Sequence, residues 1–514
     1  MGFEQAYTEI LKKIPGIVEP LKKLTFKEKF KWTAIVLLIY FLMTQITVYG
    51  VSKVGFEQFK MLQILLGSSF GSLMTLGIGP IVTASILLQL LVGSKLIPWD
   101  LKSDRGRSLF QGTQKLLAMV LSFVEATVFV SMGAVPTLPG AGLLVIIQIA
   151  IGGILVIFMD EMISKWGFGS GVSLFIAAGV SKEIFIGIFN PLTESGTFPT
   201  AGSPPVGRIP LAITLLGANE PFQAFIAFLP VIATALVFLL VIYANALKVE
   251  IPLAFGSIRG FGRRWPLRFF YTSNLPVILI AALLANIQLM SRMLAQGSGS
   301  FLGTFDSAGN PTGGLIYFLI PPSTATASGL MIAQLMIFIG VFVLIGAALA
   351  YMTKKNALKM IIGFGALGVL ASIFFTSSMG ITSLTAIGLA DIARIVCYSL
   401  FLIIGSMIFS IFWMTTSGMD PKSVAEQIQS TGMQIPGYRR DIRIIERVLD
   451  RYIPALAVLG GAAVGALAAY ADLTSAIGTG TGILLATMII YNLYEEIAMQ
   501  HMEDMHPAIR KLME

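Results

Sequence analysis

The sequence has few of the residues on which enzymes and disulfide-bonded domains depend. Its one cysteine, Cys397, lies in an apolar stretch, which excludes a disulfide within the chain. Its two histidines, His501 and His506, follow the last apolar stretch, which excludes an intramembrane zinc site of the HExxH type. The dipeptide Gly-Lys does not occur, so the chain has no Walker A nucleotide loop. We therefore expect no enzymatic activity, no metal and no cofactor.

Charge is also scarce. Charged residues make up 12% of the 514 residues and hydrophobic residues 55%, whereas a soluble domain carries about 25% charged residues. Apolar runs close to the roughly 20 residues that span a bilayer recur along the whole chain. We therefore predict an all-α polytopic membrane protein with twelve apolar spans, at about 33–50, 73–94, 116–133, 142–160, 171–190, 222–247, 273–291, 329–352, 357–377, 384–414, 453–470 and 475–494.

The distribution of lysine and arginine predicts the orientation of these spans. With the N-terminus inside, 29 of the 35 Lys and Arg residues fall in inner segments, five fall outside and Arg394 falls within a span. Cytoplasmic loops carry an excess of positive charge, so both termini are expected to be cytoplasmic. The basic inner face could attract anionic lipid headgroups or RNA.

The leader, residues 1–32, is too long and polar for a cleavable signal peptide. Its apolar residues recur at helical spacing, which fits a helix lying along the membrane surface or a solvated leader helix.

Twelve spans without an enzyme motif suggest a secondary transporter as one reading. Transporters usually keep ionisable groups near the bilayer midplane. The candidates are few: Glu125, Asp391 with Arg394 three residues later, and Asp472. Asp391 and Arg394 share a helical face and are expected to neutralise each other. The pair Asp160–Glu161 ends a span and is expected to be solvated. Little in this set could couple protons or sodium ions.

The segment 54–73 is too polar and too rich in glycine to face lipid as a full span. Irregular backbone at membrane depth survives only where protein or a water-filled cavity surrounds it. We therefore predict that residues 55–70 form a short half-helix that dips in from outside. The following Gly77, Gly79 and Pro80 let the chain turn and restart as a helix, because proline in a first turn lacks only an N–H that would be unpaired anyway.

At this point the chain resembles the SecY family, the large subunits of protein-conducting channels, and most closely its archaeal and eukaryotic branch. The matching stretches run in family order over nearly the whole chain: TLGIGPIVTASILLQLLVGS (75–94), LFQGTQKLL (109–117), DEMISKWGFGSGVSLFIAAGVS (160–181), IPLAFGSIRG (251–260), SNLPVILIAALLANIQL (273–289), SGMDPKSVAEQI (417–428) and HPAIRKL (506–512).

The resemblance implies two five-helix halves that open like a clamshell around a pore. Residues 33–190 would be the N-terminal half, with 55–70 as the plug, and 222–494 the C-terminal half, followed by a cytoplasmic tail at 495–514. An aliphatic ring would narrow the pore, and such a constriction blocks ions by expelling water. Carried onto this sequence, the ring consists of Ile78, Val82, Val172, Ile176, Ile278 and Leu485.

Two further sites are implied by the resemblance. A lateral gate between the spans that start near 76 and 273 would release membrane segments into lipid, with polar positions at Thr83, Glu125 and Asn286. Alternatively, these three residues only hold neighbouring helices together and have no gating role. Two inner loops would dock the ribosome, since RNA phosphates attract basic patches. Their residues are Arg259, Arg263 and Arg264 in one loop, and Tyr438, Arg439 and Arg440 in the other.

The implied function is a passive channel that passes unfolded secretory chains across the cell membrane. The implied partners are a SecE-type (gamma) subunit, a SecG-type or beta-type subunit, the ribosome, nascent polypeptides and membrane lipid. The sequence departs from the family in one respect, because the family has ten spans. The additional pair, about 329–377, has a basic connector that keeps the topology intact. We expect it to be a peripheral, lipid-facing hairpin.

Overall fold

The structure is a computed structural model of the full chain. It describes residues 7, 9, 11, 13–22, 24–51, 69–93, 96–99, 103–131, 133, 135–193, 197–200, 203–255, 262–272, 275–295, 302–305, 311–322, 326–353, 357–378, 387–430, 433–434 and 441–504. Within them the chain is predominantly helical, as the sequence predicts.

The described part of the chain contains fifteen helices and five short strands. The helices are α1 (Phe26–Gln45), α2 (Gly79–Gly93), α3 (Asp104–Ser131), α4 (Gly142–Trp166), α5 (Gly171–Phe189), α6 (Arg208–Gly217), α7 (Pro221–Ala246), α8 (Leu275–Ala295), α9 (Leu315–Phe318), α10 (Ala327–Thr353), α11 (Ala357–Ser378), α12 (Leu389–Thr416), α13 (Pro421–Ser430), α14 (Ile442–Leu473) and α15 (Gly480–Asp504). The strands are β1 (Lys248–Phe255), β2 (Gly262–Arg268), β3 (Thr304–Phe305), β4 (Pro311–Gly313) and β5 (Met433–Gln434).

A helix coincides with each of the twelve predicted apolar spans. Seven described helices, α3, α4, α5, α7, α10, α12 and α14, are long and apolar enough to cross a membrane. The protein is therefore a multi-pass membrane protein. Several helices begin earlier than predicted: α3 at Asp104 rather than 116, and α14 at Ile442 rather than 453. These extensions are polar, so hydrophobicity alone does not reveal them.

The chain folds into two compact units, residues 1–180 with 489–514, and residues 181–488. In the first unit, α4 packs against α3 and α1, and α3 packs against α2. The backbone of the preceding segment comes close to α4 at Gly152, where an added Cβ would overlap the carbonyl oxygen of Leu73. Glycine is required at this position because a side chain would push the two segments apart.

The leader packs against protein over its described part. The Tyr7 hydroxyl bonds the Thr113 hydroxyl at 2.7 Å. At the end of α4, Lys165 Nζ donates to the carbonyl of Ile17 at 2.6 Å and Trp166 Nε1 donates to the carbonyl of Val18 at 2.8 Å. Tyr7 therefore contacts α3, and Ile17 and Val18 contact the end of α4.

A capping box opens α1. The Thr25 hydroxyl accepts from the amide of Glu28 at 3.4 Å, and the Glu28 carboxylate accepts from the amide of Thr25 at 2.9 Å. These hydrogen bonds lower the pKa of Glu28. The reciprocal pair satisfies two amide groups that a helix start would otherwise leave unpaired.

In the second unit, α12 packs against α14 and α8, and α10 packs tightly against α11. The hairpin α10–α11 is the additional pair, and its two helices differ. Helix α11 exposes large apolar side chains, including Phe374 at 75%, as expected of a lipid-facing helix. Helix α10 instead contacts α7 and α14, and the Tyr470 hydroxyl donates to the carbonyl of Met336 at 2.9 Å. Only α11 is peripheral, so the expectation for α10 was wrong.

A small sheet forms where the sequence predicts only a basic loop. Strands β1 and β2 pair as an antiparallel hairpin with Ile251 opposite Trp265, and β5 adds to β1 next to Phe255. Inward-facing Ile251 and Leu267 join a core with Ala425 and Ile453. The hairpin is thus anchored on α13 and α14.

We predict opposite effects for two glycine-to-alanine substitutions. Gly152→Ala should lower the free energy of unfolding by about 1–3 kcal/mol, because the backbone at Leu73 must move. Gly363→Ala on α11 meets open space and should be neutral or stabilise by up to about 1 kcal/mol, because alanine favours the helix. Thermal melting of the purified protein in detergent measures both; equal effects would show that the Gly152 contact does not constrain the fold.

Candidate functional site

The turn before α2 holds the first predicted ring residue, Ile78. Its side chain is fully buried, and its carbonyl accepts from the amide of Val82 at 3.1 Å. Gly77 has φ = 53°, a left-handed conformation that glycine adopts at low cost. The helix starts at Gly79 with Pro80 in its first turn. The predicted turn and helix restart are therefore confirmed.

The irregular segment 69–78 finds its hydrogen bonds within the first unit. The amide of Leu73 donates to the carbonyl of Ile46 at 3.0 Å, and the amide of Val48 donates to the carbonyl of Gly71 at 2.9 Å. These bonds join the segment to the end of α1. Most of the predicted plug at 55–70 lies outside the described residues. Its last residue, Phe70, stacks on Phe129 of α3 with ring centroids 5.5 Å apart.

Helix α5 carries the next two predicted ring residues, Val172 and Ile176, one turn apart. Ile176 is buried and Val172 is half-buried. Asp160 caps the start of this helix, because its carboxylate accepts from the amide of Val172 at 2.9 Å and from the amide of Gly171. The cap satisfies amides that have no partner within the helix.

The expectation that Asp160 and Glu161 are solvated was therefore wrong. Glu161 pairs with Lys115 at 2.5 Å and with Lys165 at 3.0 Å. Both acidic residues join helices of the first unit. Lys115 lies 46 residues from Glu161, so hydropathy gave no sign of this contact.

Two of the three predicted gate residues contact each other. The side chains of Thr83 on α2 and Glu125 on α3 form a hydrogen bond, and both are half-buried. The third, Asn286, lies on α8 in the second unit, and its side chain is outside the described part of the structure.

The remaining ring candidates, Ile278 and Leu485, belong to the second unit. Ile278 is half-buried on α8, and Leu485 on α15 is only 1% exposed. A hydrogen-bonded cluster holds the start of α15, one turn before Leu485. The Asp472 carboxylate accepts from the Tyr398 hydroxyl at 2.7 Å, from the amide of Thr481 at 3.1 Å and from the Thr481 hydroxyl. Asp472 therefore joins α14, α12 and α15.

The predicted pairing of Asp391 with Arg394 is only partly met, because the charge of Asp391 acts on Arg394 but no direct ion pair joins them. Arg394 donates to the carbonyls of Ile320 at 2.6 Å and Pro321 at 3.1 Å, and its guanidinium lies 4.5 Å from the centre of the Tyr317 ring. Asp391 accepts from the amide of Gly388 at the start of α12. The backbone carbonyls are better placed for Arg394 because they follow α9, which packs against α12.

Two of the six predicted docking residues belong to the described part of the second unit. Arg263 and Arg264 are in β2, opposite Leu253 and Pro252 of β1. The other four, Arg259, Tyr438, Arg439 and Arg440, fall outside the described residues.

A hydrogen bond joins the segment after β2 to the segment before α13: the Tyr271 hydroxyl donates to the carbonyl of Met419 at 2.8 Å. Burial, with a smaller contribution from the charge of Asp420, raises the pKa of Tyr271 to about 12. The phenol therefore remains a donor at neutral pH.

Sequence reasoning missed Tyr398 and the capping role of Asp160. An acidic residue followed by a glycine-rich start of a helix is the signal that could have indicated the cap. Tyr398 carries no such local signal, because its partner Asp472 is 74 residues away.

Family models match almost the whole chain. The SecY model matches residues 72–494 and the model for the plug domain of Sec61p matches residues 38–71. The protein translocase subunits SecY of Methanothermobacter thermautotrophicus and Methanocaldococcus jannaschii are both 40% identical, over 517 and 505 residues. The alignments cover 99% of both chains for the first and 98% of both for the second.

Solved structures agree with the sequence matches. A structure described as a protein-conducting channel has a TM-score of 0.74 at 39% identity and covers 98% of this chain and 99% of its own. Sec61 in a canine ribosome-channel complex from the endoplasmic reticulum has a TM-score of 0.71 at 39% identity, with the same coverage of both chains. With the buried turn at Ile78 and the adjacent plug match, these similarities show that the chain belongs to the SecY family.

Proposed function

We propose that this protein is the central subunit of a protein translocation channel, which passes unfolded secretory chains across the membrane and releases membrane segments through a lateral gate. The observation that best supports this proposal is the buried turn at residues 69–80. It buries Ile78 at the head of α2 and directly follows the segment that matches a plug domain. An apolar constriction of this kind blocks ions without a gating charge.

A small-solute secondary transporter is not supported. Coupling would need an ionisable group free to exchange its ion. Glu125 bonds Thr83, Arg394 bonds backbone carbonyls, and Asp472 bonds Tyr398 and Thr481. These three candidates thus have partners on neighbouring segments, and the fourth, Asp391, bonds the amide of Gly388 at the start of its own helix. The channel thus works passively and catalyses no reaction, and a partner supplies the driving force.

The proposed partners are a SecE-type and a SecG-type or beta-type small subunit, the ribosome, nascent polypeptides and membrane lipid. The related structures described as Sec61 and Ssh1 are both in complex with a ribosome. In this chain the basic hairpin β1–β2 supports ribosome docking, since it extends from the membrane end of α7 and carries Arg263 and Arg264.

The proposed location is the cell membrane with both termini in the cytoplasm. The concentration of Lys and Arg in alternate loops supports it. We further propose that 33–190 and 222–494 act as the two halves of the channel, and that Ile78, Val82, Val172, Ile176, Ile278 and Leu485 form its ring.

The first prediction from this function concerns ribosome docking. Arg259→Glu combined with Arg439→Glu should weaken ribosome binding in proportion to the lost phosphate contacts. Each lost contact should reduce the slope of log affinity against log salt by about 1. Lys359→Glu, on the exposed start of α11, is the matched control and should bind as the wild type does. Co-sedimentation with ribosomes across a salt titration measures this; an unchanged slope would contradict docking by these loops.

A second prediction concerns the seal. Ile278→Asn with Val82→Asn should hydrate the constriction, and deletion of 57–67 should remove the plug. Single-channel recordings in planar bilayers should show ion currents that the wild type lacks, largest when both changes are combined. Leu283→Asn on the exposed face of α8 is the control and should stay tight. If all variants assemble and stay ion-tight, the assigned ring is wrong.

A third prediction concerns the gate. Thr83→Val removes the hydrogen bond to Glu125, and such bonds between membrane helices contribute about 0.6 kcal/mol on average. We expect export of a reporter with a weakened signal sequence to rise about threefold in membrane vesicles. Thr127→Val on α3 is the control, because the Thr127 hydroxyl bonds its own helix, at the carbonyl of Phe123. Equal export by both variants would indicate that Thr83 and Glu125 only hold the helices together and have no gating role.

A further inference from the structure

The second unit contains a cavity of about 810 Å³ that the translocation function does not use. It lies between α6, the first half of α7, the start of α10 and the turn between α14 and α15. One of its walls is α10, a helix of the additional hairpin. Its volume is within the range of about 300–1,000 Å³ that small-molecule sites occupy.

Arg208, the first residue of α6, lines this cavity. The side chain remains accessible, yet the surrounding protein removes enough water to lower the pKa of its guanidinium. Among the described residues, no carboxylate lies within ion-pair distance of it. A guanidinium keeps its charge at all practical pH values. An anion at the cavity would therefore offset the cost of its partial desolvation.

Gln334 on α10 is a further polar residue of the cavity, beside Gln223, Thr474 and Ser475. It is only 5% exposed, and no described residue provides its side chain with a hydrogen-bond partner. Its amide atoms are not among the fully buried polar atoms that lack a partner, so they reach accessible space. Gln334 lines the cavity. A polar group of a ligand in the cavity would therefore be able to form a hydrogen bond with this side chain.

The cavity also has apolar lining residues. Leu330 and Ile337 lie on the same face of α10 as Gln334, and Phe222 and Ile226 line the cavity from α7. On α7 and α10 the lining residues extend over about 15 Å from the start of the helix, at 1.5 Å per residue. This length equals about half the thickness of a hydrocarbon core of about 30 Å. The cavity thus combines the cationic Arg208 with apolar side chains that an acyl chain can contact.

We infer that this cavity binds an anionic phospholipid, with its phosphate on Arg208, its glycerol or ester region on Gln334 and a chain among the apolar side chains of α7 and α10. Arginine binds phosphate through paired, charge-assisted hydrogen bonds. A free phosphate would leave the apolar walls and Gln334 without a partner.

Native mass spectrometry of the full chain, purified with its small subunits, tests this inference. The probes are phosphatidylglycerol, zwitterionic phosphatidylcholine and inorganic phosphate. Wild type should bind phosphatidylglycerol with a preference that falls about tenfold in Arg208→Gln, because a charged hydrogen bond is lost. Ala333→Phe should fill the cavity and remove lipid binding. The matched controls are Arg447→Gln, at an exposed position of α14, and Ala348→Phe, at an exposed position of α10.

Equal binding of both lipids to the wild type, or an unchanged preference in Arg208→Gln, would overturn the inference. Displacement of the lipid by inorganic phosphate at equal concentration would do so too, since the cavity would then hold a free anion. Arg208 is on the surface, so Arg208→Gln should melt at the wild-type temperature. Gln334→Leu provides a second test, and it should weaken the binding of phosphatidylglycerol. The readout is lipid binding and not protein transport, so it is independent of the proposed channel function.

Discussion

Backbone groups without partners are very costly at membrane depth, and this constraint determines the architecture around the start of α2. Residues 69–78 are not helical, so their amides and carbonyls need other partners. They find them in local turns and at the end of α1, through Leu73 and Val48. The close approach of α4 at Gly152 seals the segment from lipid. A buried, sealed break in the helical backbone is what allows a plug to precede α2.

The same constraint explains how the polar side chains of the spans are used. Asp160 caps α5, Asp472 joins three helices, and Arg394 holds the loop at Ile320. Each of these groups has several partners close by, which keeps a buried charge tolerable. Polar side chains with such fixed partners stabilise the packing of the helices. The additional hairpin fits this pattern, because α10 is built into the second unit while α11 faces outward.

Much of the fold could be predicted from local sequence. The twelve spans, the helix restart at Pro80 and the basic inner loops all follow from apolar runs, proline and charge. The hairpin β1–β2 could not be predicted, since residues 248–268 mix charged and apolar residues without a clear strand alternation, and the core beneath them comes from α13 and α14. The polar extensions of α3 and α14 were missed because they lie beyond the apolar runs.

The sequence by itself indicated the apolar segments and the family, because hydrophobicity and long collinear motifs are properties of the chain alone. Only the tertiary structure decided which polar groups meet. Lys165 bonds Ile17 across 148 residues, and Arg394 bonds Ile320 across 74. The cavity beside Arg208 and Gln334 likewise exists only because α6, α7 and α10 pack together. Such contacts depend on distances in space, which neither hydropathy nor spacing along the chain encodes.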